Sequence, residues 1–429
     1  MKGSIRNRAR PRRHCGQVMV LFVLLMIVLI LFIGLGIDLG FSYITRANLS
    51  KSVDAAALLG AMSLANGSNT AQAVAQSAFD LNYGVSGRDA APPHVDVQVF
   101  NDANNNLTVD VSALVNINTY FIRVLPQWST LAVGSTAEAV RDNVIMTLVL
   151  DTSNSMSPQR GPPPGGNGTG SGGGKFLPGA VTAFINDFDE KHDQAAVVTF
   201  NTVQSDVFFG GTPARPQPTQ PFKTPIINTV NAFNDSTWTG YTFSQGGLTN
   251  ALVIENNFTI PTGQSAVKIV VFCTDGLANV IQDTFDCPPS TTYNYGGKDS
   301  CGGDGVHFFD PITGDKLPLC EVSVDGGIPP CCEGAGPFTC NGVTTESQVR
   351  AVQVASQMRD AGIIVYSIGV GSGVNLSFLQ QIANDPALAG TPGYAPTTHD
   401  GEAVVANDVS TLSTVFQQIA SKILLRLAK

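Results

Sequence analysis

The amino-acid sequence predicts an α/β protein with an N-terminal transmembrane helix, a small α+β module, and a doubly wound, mostly parallel sheet that carries a disulfide-rich insertion. Three observations lead to this fold class. An uncharged apolar run near the N-terminus is long enough to cross a bilayer, four nearly continuous apolar runs alternate with amphipathic helix patterns, and six cysteines cluster in one glycine- and proline-rich stretch. The length of 429 residues allows two or three domains.

The charges are distributed unevenly along the chain. Residues 1–16 hold six Lys or Arg and no acid, whereas the remainder has 18 basic against 33 acidic side chains. A body this acidic has no broad basic face for phosphates, so nucleic acid is not an expected partner. Charged residues make up only 13% and hydrophobic residues 43%, which excludes a charge-rich disordered chain and allows a sizeable core.

The first element is a membrane span. Residues 18–37 carry no charge and, as a helix, would cross a bilayer core of about 30 Å. A cleavable signal peptide is the alternative, but its apolar region covers roughly 7–15 residues and ends at a small-residue cleavage site. Here the run continues through Asp38 into a further helical pattern. We predict a cytoplasmic tail over 1–16, a span over 17–40, and the bulk of the chain outside the cytoplasm, because basic flanks stay inside.

A small module follows the span. An alanine-rich helix over 41–65 is expected to continue the membrane helix outward, and a second helix is expected over 71–83. Residues 95–100 and 107–113 alternate apolar and polar side chains around a turn, which is typical of two strands. We therefore predict an α+β module over 66–142, in which no cluster of side chains indicates chemistry.

The remainder, residues 143–429, has the pattern of a doubly wound sheet. Near-continuous apolar runs are typical of parallel strands buried on both faces, and they occupy 144–150, 195–200, 267–273 and 363–370. Apolar residues with helical spacing follow from Leu177, Ala351 and Leu412. Ligands of such sheets bind beyond the carboxyl ends of the strands.

Two insertions interrupt this pattern at that same edge. Residues 158–174 contain eight Gly and four Pro, and residues 283–345 hold a cysteine cluster. The clustered cysteines predict three disulfides in an oxidising compartment, with fifteen possible pairings; they are Cys287, Cys301, Cys320, Cys331, Cys332 and Cys340. A metal site would need paired C-x-x-C or Cys/His spacing, which is absent. Cys273 lies in an apolar run and is expected to be a buried thiol.

Oxygen-bearing side chains follow two of the predicted core strands. Asp151, Ser153 and Ser155 form a D-x-S-x-S set after the first strand, and Asp275 follows the strand over 267–273. Thr242 offers a loop hydroxyl. Hard oxygen donors suit Mg²⁺, although an ordinary turn would also explain D-x-S-x-S alone.

With these motifs, residues 143–427 resemble the von Willebrand factor type A domain and its metal-ion-dependent adhesion site. The resemblance implies a site for Mg²⁺, or for Mn²⁺ or Ca²⁺, whose ligands are Asp151, Ser153, Ser155, Thr242 and Asp275. Thr249 is an open alternative to Thr242. The resemblance also implies a protein partner that donates an Asp or Glu to the metal.

The N-terminal segment resembles a second family. It has R-H-C-G-Q over 13–17, G-I-D-L-G over 36–40 and V-D-A-A-A-L-L-G-A over 53–61. Residues 14–61 are similar to the TadE/TadG-like segment of tight-adherence (Flp) pilus-assembly proteins, and the layout of the whole chain is TadG-like. Pilin processing would need a glutamate where Leu21 stands, so an anchored assembly component is expected.

The two resemblances imply a metal-dependent protein-binding module of the bacterial inner membrane that helps to assemble or display an Flp-type pilus, with pilus components as partners. A surface adhesin that binds a host or matrix protein through the same metal is the alternative. An enzyme is not expected, because the sequence lacks G-x-S-x-G, H-E-x-x-H and a phosphate loop, and its five histidines are scattered. A metal-dependent hydrolase would need a further base beside the metal.

Overall fold

The computed structural model describes most of the chain, and its contacts divide the chain into two compact units. The described residues are 15–84, 87–104, 106–124, 126–161, 170–202, 204–207, 221–258, 260, 262–276, 278–285, 291–297, 306–309 and 340–427. Residues 1–14 of the predicted cytoplasmic tail and five of the six clustered cysteines lie outside them, and so does the side chain of Cys340. The three disulfides therefore stay a prediction.

The N-terminal unit comprises Met1–Ala61, Ser68–Phe100 and Thr108–Ala139. Its helices are α1 (Cys15–Met62) and α2 (Ser68–Asn82), and its sheet has the order β1-β2-β3, formed by β1 (His94–Asn101), β2 (Leu107–Asn118) and β3 (Thr130–Arg141). The predicted span and alanine-rich helix are thus one continuous helix of 48 residues. It is the one helix among the described residues that is long and apolar enough to cross a membrane.

The outer part of α1 packs through small side chains. Ala56, Ala57 and Ala61 are buried, whereas Asp54 on the same helix is exposed. A Cβ added to Gly60 would come within 3.1 Å of side-chain carbons of the second helix and of the sheet. The small residues of V-D-A-A-A-L-L-G-A therefore let the helix approach its neighbours closely, and the close contact stabilises the packing through dispersion.

The C-terminal unit comprises Met62–Gly67, Asn101–Leu107 and Val140–Lys429. The strands of its six-stranded sheet are β4 (Asn143–Asp151), β5 (Gln194–Phe200), β6 (Gln204–Val207), β7 (Ala266–Thr274), β11 (Ile364–Val370) and β12 (Ala403–Ala406). Their order is β12-β11-β7-β4-β5-β6, and every neighbouring pair is parallel except β5 with β6. The predicted mostly parallel sheet is confirmed. The short strands β8 (Val280–Phe285), β9 (Thr291–Gly297) and β10 (Val306–Phe309) form a separate antiparallel sheet.

Helices cover both faces of the large sheet. They are α3 (Leu177–Asn186), α4 (Lys223–Asn231), α5 (Ser244–Asn257), α6 (Cys340–Asp360), α7 (Leu376–Ala383) and α8 (Leu412–Leu427). Side chains of β4 alternate between two cores, as the period of a strand requires. Leu148 and Leu150 lie in a core with residues of α3, α4 and α8, and Val149 lies in a core with residues of α5, α6 and α7.

The strand order creates a crevice at the carboxyl end of β4. The chain leaves β4 toward β5 on one side and later returns to β7 on the other side, which is the switch point where doubly wound sheets bind ligands. Leu150 of β4 is paired with Cys273 of β7. The last residues of these strands, Asp151 and Thr274, therefore lie side by side.

Candidate metal centre

The carboxylate of Asp151 is the most buried group of the site. Asp151 ends β4 and has no solvent-exposed surface. Its Oδ1 accepts the backbone N–H of Ser153 at 2.7 Å, and its Oδ2 accepts the hydroxyl of Thr274 at 2.5 Å. Two neighbouring strand ends therefore fix the orientation of this carboxylate.

The two serines of D-x-S-x-S place their hydroxyls together. The turn after β4 bends at Ser153, and the Oγ atoms of Ser153 and Ser155 lie 3.0 Å apart. The Ser155 hydroxyl donates to Oδ1 of Asp275 at 2.6 Å. The predicted residues after β4 and β7 thus form one chain of oxygen atoms, although 120 residues separate Ser155 from Asp275.

Thr242 joins this cluster. A Cβ built on Gly276 would lie 3.3 Å from Oγ1 of Thr242 and 3.7 Å from Oγ of Ser155, so both hydroxyl oxygens border the same small space. The Thr242 backbone is held by Asn279, whose Oδ1 accepts the Thr242 N–H at 2.9 Å.

The rival threonine, Thr249, does not point to this space. It is exposed on α5 and its hydroxyl donates to the Gln245 carbonyl within the same helix at 2.8 Å. The structure therefore brings Thr242, and not Thr249, to the cluster.

Ser171 is a member of the cluster that the sequence analysis missed. Its hydroxyl donates to Oδ2 of Asp275, and its backbone N–H lies 3.4 Å from the same oxygen. Ser171 also donates its N–H to the Ser155 carbonyl at 3.1 Å. The only sequence signal is a single serine within a glycine run, which by itself does not indicate a site.

The glycines around Ser171 allow this close approach. A Cβ on Gly170 would lie 2.2 Å from the Ser155 carbonyl oxygen, and one on Gly174 would lie 2.6 Å from the Met156 carbonyl oxygen. No other residue type fits at such distances. The carboxyl-terminal end of the glycine- and proline-rich insertion therefore lies directly on the D-x-S-x-S turn.

The electrostatics of the site favour the binding of a cation. Burial, and after it the negative charge of Asp275, raises the pKa of Asp151 to about 7, although hydrogen bonds from Ser153 and Thr274 act in the opposite direction. Burial and the same two carboxylates also raise the pKa of the Cys273 thiol, which is free and buried as expected. A dication would neutralise the two carboxylates.

The donor set is made of oxygen atoms alone. Two carboxylates and three hydroxyls converge, whereas no group of three or more His, Cys, Asp or Glu side chains suited to a metal occurs among the described residues. Such hard neutral and anionic oxygens fit Mg²⁺, Mn²⁺ or Ca²⁺ better than they fit a metal that prefers thiolate or imidazole. The residues present therefore fit the metal that the sequence predicts.

Comparison with known families places the N-terminal segment. Residues 16–63 match the family model described as putative Flp pilus-assembly TadE/G-like. This match confirms the resemblance that the motifs over 13–17, 36–40 and 53–61 predict. None of the curated proteins compared with the chain matches it.

Solved structures provide distant similarities to the fold. The PilB minor pilin from Streptococcus sanguinis is 16% identical, with 78% of this chain and 79% of that chain covered and a TM-score of 0.42. The vWF domain of the type V pili tip protein Mfa5 from Porphyromonas gingivalis is 14% identical, with 68% and 98% covered and a TM-score of 0.39. Proximal thread matrix protein 1 from the mussel byssus, with a zinc-occupied MIDAS motif, is 15% identical, with 66% and 46% covered and a TM-score of 0.35. These values are too low to transfer a ligand or a function.

Proposed function

We propose that the chain is a membrane-anchored, metal-dependent protein-binding module that takes part in the assembly or display of an Flp-type pilus. The match of residues 16–63 to the TadE/G-like family model supports the pilus association. One observation carries the binding role: five oxygen-bearing side chains converge at the switch point of the large sheet, namely Asp151, Ser153, Ser155, Thr242 and Asp275.

These five residues would hold the metal. Asp151 and Asp275 supply two negative charges, and the three hydroxyls supply neutral oxygens that do not reduce the positive charge further. A bound Mg²⁺ would supply an electrophilic position for one more oxygen ligand. A partner's Asp or Glu side chain is the group with the matching charge, so we infer a protein partner among the pilus or pilus-assembly components. Mn²⁺ or Ca²⁺ are alternatives to Mg²⁺.

The placement in the cell follows from α1. We infer one pass through the bacterial inner membrane with the basic N-terminus in the cytoplasm and the bulk of the chain outside it. Hydroxyls of Ser155, Ser171 and Thr274 and backbone amides of Ser153 and Ser171 donate to the two carboxylates, a setting that suits oxygen ligands of a metal. We therefore infer a binding role without catalysis.

Calorimetric titration of Mg²⁺ and Mn²⁺ into the full chain in detergent tests the metal site. Asp151→Ala should abolish the metal-dependent heat, and Thr242→Ala should weaken binding more than the matched variant Thr249→Ala, whose hydroxyl lies outside the cluster. Capture of pilus components by the wild-type chain should be lost in EDTA. If wild type and Asp151→Ala behave alike in both assays, the site is not a metal-dependent binding site.

A further inference from the structure

A loop of the N-terminal unit is fastened to α1 within the apolar span. The loop covers residues 119–129 between β2 and β3. Asp38 of α1 accepts three consecutive backbone N–H groups of this loop, from Tyr120 at 3.0 Å and from Phe121 and Ile122 at 2.9 Å each. The carboxylate is therefore satisfied by the protein itself, which removes most of the cost of placing an acid at the end of a span.

A second contact lies one helical turn earlier. A Cβ added to Gly34 would come within 2.5 Å of Cβ and the ring of Phe121, so Phe121 fills the space that a side chain would occupy. From Met19 to Gly40, Gly34 and Asp38 are the only buried positions, and they share one face of the helix. With a rise of 1.5 Å per residue, the loop reaches about 9 Å back from Gly40 along the span.

The loop is held in this shape at its base. The Thr119 hydroxyl donates to the Trp128 carbonyl at 2.6 Å. The Arg88 guanidinium lies 3.2 Å from the centre of the Phe41 ring on α1 and 4.3 Å from that of Tyr120 on the loop. These contacts order the loop without covering its outer surface.

The outer surface of the loop is apolar, aromatic and free of acids. Its large exposed side chains and their exposed fractions are Tyr120 at 53%, Phe121 at 39%, Val124 at 74% and Trp128 at 48%. Arg123 is also exposed, and no Asp or Glu occurs over 119–129. This surface continues the exposed apolar surface of α1, where Ile33 is 56% exposed.

We propose that loop 119–129 inserts into the interfacial layer of the bilayer beside α1, on the side where the span ends. Trp and Tyr are the side chains enriched at headgroup level, and an apolar face buried there reaches about 5–10 Å into the boundary, which matches the reach of the loop. Arg123 suits lipid phosphates. The inference rests on the proposal that α1 spans the membrane, and it adds a second membrane contact that fixes how far α1 emerges.

Fluorescence quenching of Trp128 by brominated lipids tests the insertion. The full chain is reconstituted into phosphatidylcholine–phosphatidylglycerol vesicles with bromines near the headgroup end or near the methyl end of the acyl chains. The chain has two tryptophans, and Trp238 is buried within the C-terminal unit. We expect shallow bromines to remove roughly half of the emission, because an interfacial indole lies beside them. Trp128→Phe should abolish this quenching.

A tryptophan inside the span separates the two proposals. In the Trp128→Phe chain, Leu29→Trp places an indole on an exposed position of the span and should be quenched by deep bromines. If Leu29→Trp is quenched and wild-type Trp128 is not, the loop proposal is wrong while the anchor stands. If neither is quenched, both are wrong.

A second variant is designed to release the loop from α1. Asp38→Ala leaves three backbone N–H groups without their acceptor, so the loop should detach, and quenching of Trp128 by lipid should fall while quenching by aqueous iodide rises. Asp54→Ala removes an exposed carboxylate from the same helix and should leave both signals unchanged. If iodide quenches Trp128 as strongly in vesicles as it does in detergent, the loop stays in water and the insertion proposal is wrong.

Discussion

Metal binding at the predicted site should weaken steeply as the pH falls. Asp151 must be ionised to bind a cation, and its pKa is raised to about 7 by burial and by Asp275. Protons therefore compete with the metal below that pH. With a pKa of about 7, the Mg²⁺ dissociation constant at pH 5 should be about 100-fold higher than at pH 8.

The assay is calorimetric titration of Mg²⁺ into the full chain at both pH values. Ser155→Ala is the matched control, because it removes a neutral donor and keeps both carboxylates. It should weaken binding at each pH but leave the ratio between the two pH values near that of the wild type. A ratio close to one in the wild type would refute the reasoning, since it would mean that no buried carboxylate titrates on metal binding.

The same pKa predicts the opposite trend for the stability of the metal-free fold. For Asp151 the folded-state pKa, about 7, lies above the ordinary value of 3.8. Its contribution to stability is complete below pH 3.8 and is lost as the pH rises through 7, which amounts to about 4 kcal/mol at pH 8. In EDTA at pH 8, Asp151→Asn should therefore unfold at a higher temperature than the wild type, even though it no longer binds Mg²⁺.

Three further predictions concern the C-terminal unit. Ser171→Ala removes a hydroxyl that competes with the metal for Asp275. Mg²⁺ should therefore bind roughly fivefold more tightly in calorimetric titration, which corresponds to a net hydrogen bond of about 1 kcal/mol. Weaker binding would mean that Ser171 is itself a ligand. Asp193→Ala should lower the free energy of unfolding in urea by about 3–5 kcal/mol, because Arg141, 1% exposed and bonded to Asp193 at 2.9 Å, would be left as a buried charge; an unchanged midpoint would contradict this. Burial raises the pKa of Glu255 to about 8, so the stability that the protonated carboxyl contributes is lost as the pH rises through 8. The melting temperature of Glu255→Gln should therefore exceed that of the wild type at pH 9 but not at pH 5.

The large sheet could be predicted because its central strands are buried on both faces. The apolar runs at 144–150 and 267–273 became β4 and β7 nearly to the residue. The order of the strands in the sheet could not be predicted in the same way. Nothing in the sequence states that β4 lies between β5 and β7, and that neighbourhood is what brings the two carboxylates together.

The two carboxylates of the candidate site could be predicted because they lie at the ends of two core strands. The ends of two strands determine the positions of Asp151 and Asp275, so the apolar runs in the sequence were sufficient to predict them. Thr242 was the predicted ligand, and Thr249 stayed open as an alternative because the sequence does not show that α5 begins at Ser244. Ser171 was missed because glycine allows many more backbone conformations than other residues, so the sequence does not determine the path of the glycine-rich insertion.

Asp38 and Asp275 illustrate two ways in which this chain accommodates a carboxylate away from water. Asp38 accepts three backbone N–H groups, which satisfy both of its carboxylate oxygens. Asp275 accepts the hydroxyls of Ser155 and Ser171 and, at 3.4 Å, the backbone N–H of Ser171. Both hydroxyls can rotate away, and that of Ser155 can then offer a lone pair to a metal. A hydroxyl can donate to a carboxylate or, through its lone pairs, bind a metal, whereas an amide N–H can only donate. These mobile hydroxyls, together with the second carboxylate of Asp151, explain why the cluster at the sheet switch point suits a metal and the acid at the end of the span does not.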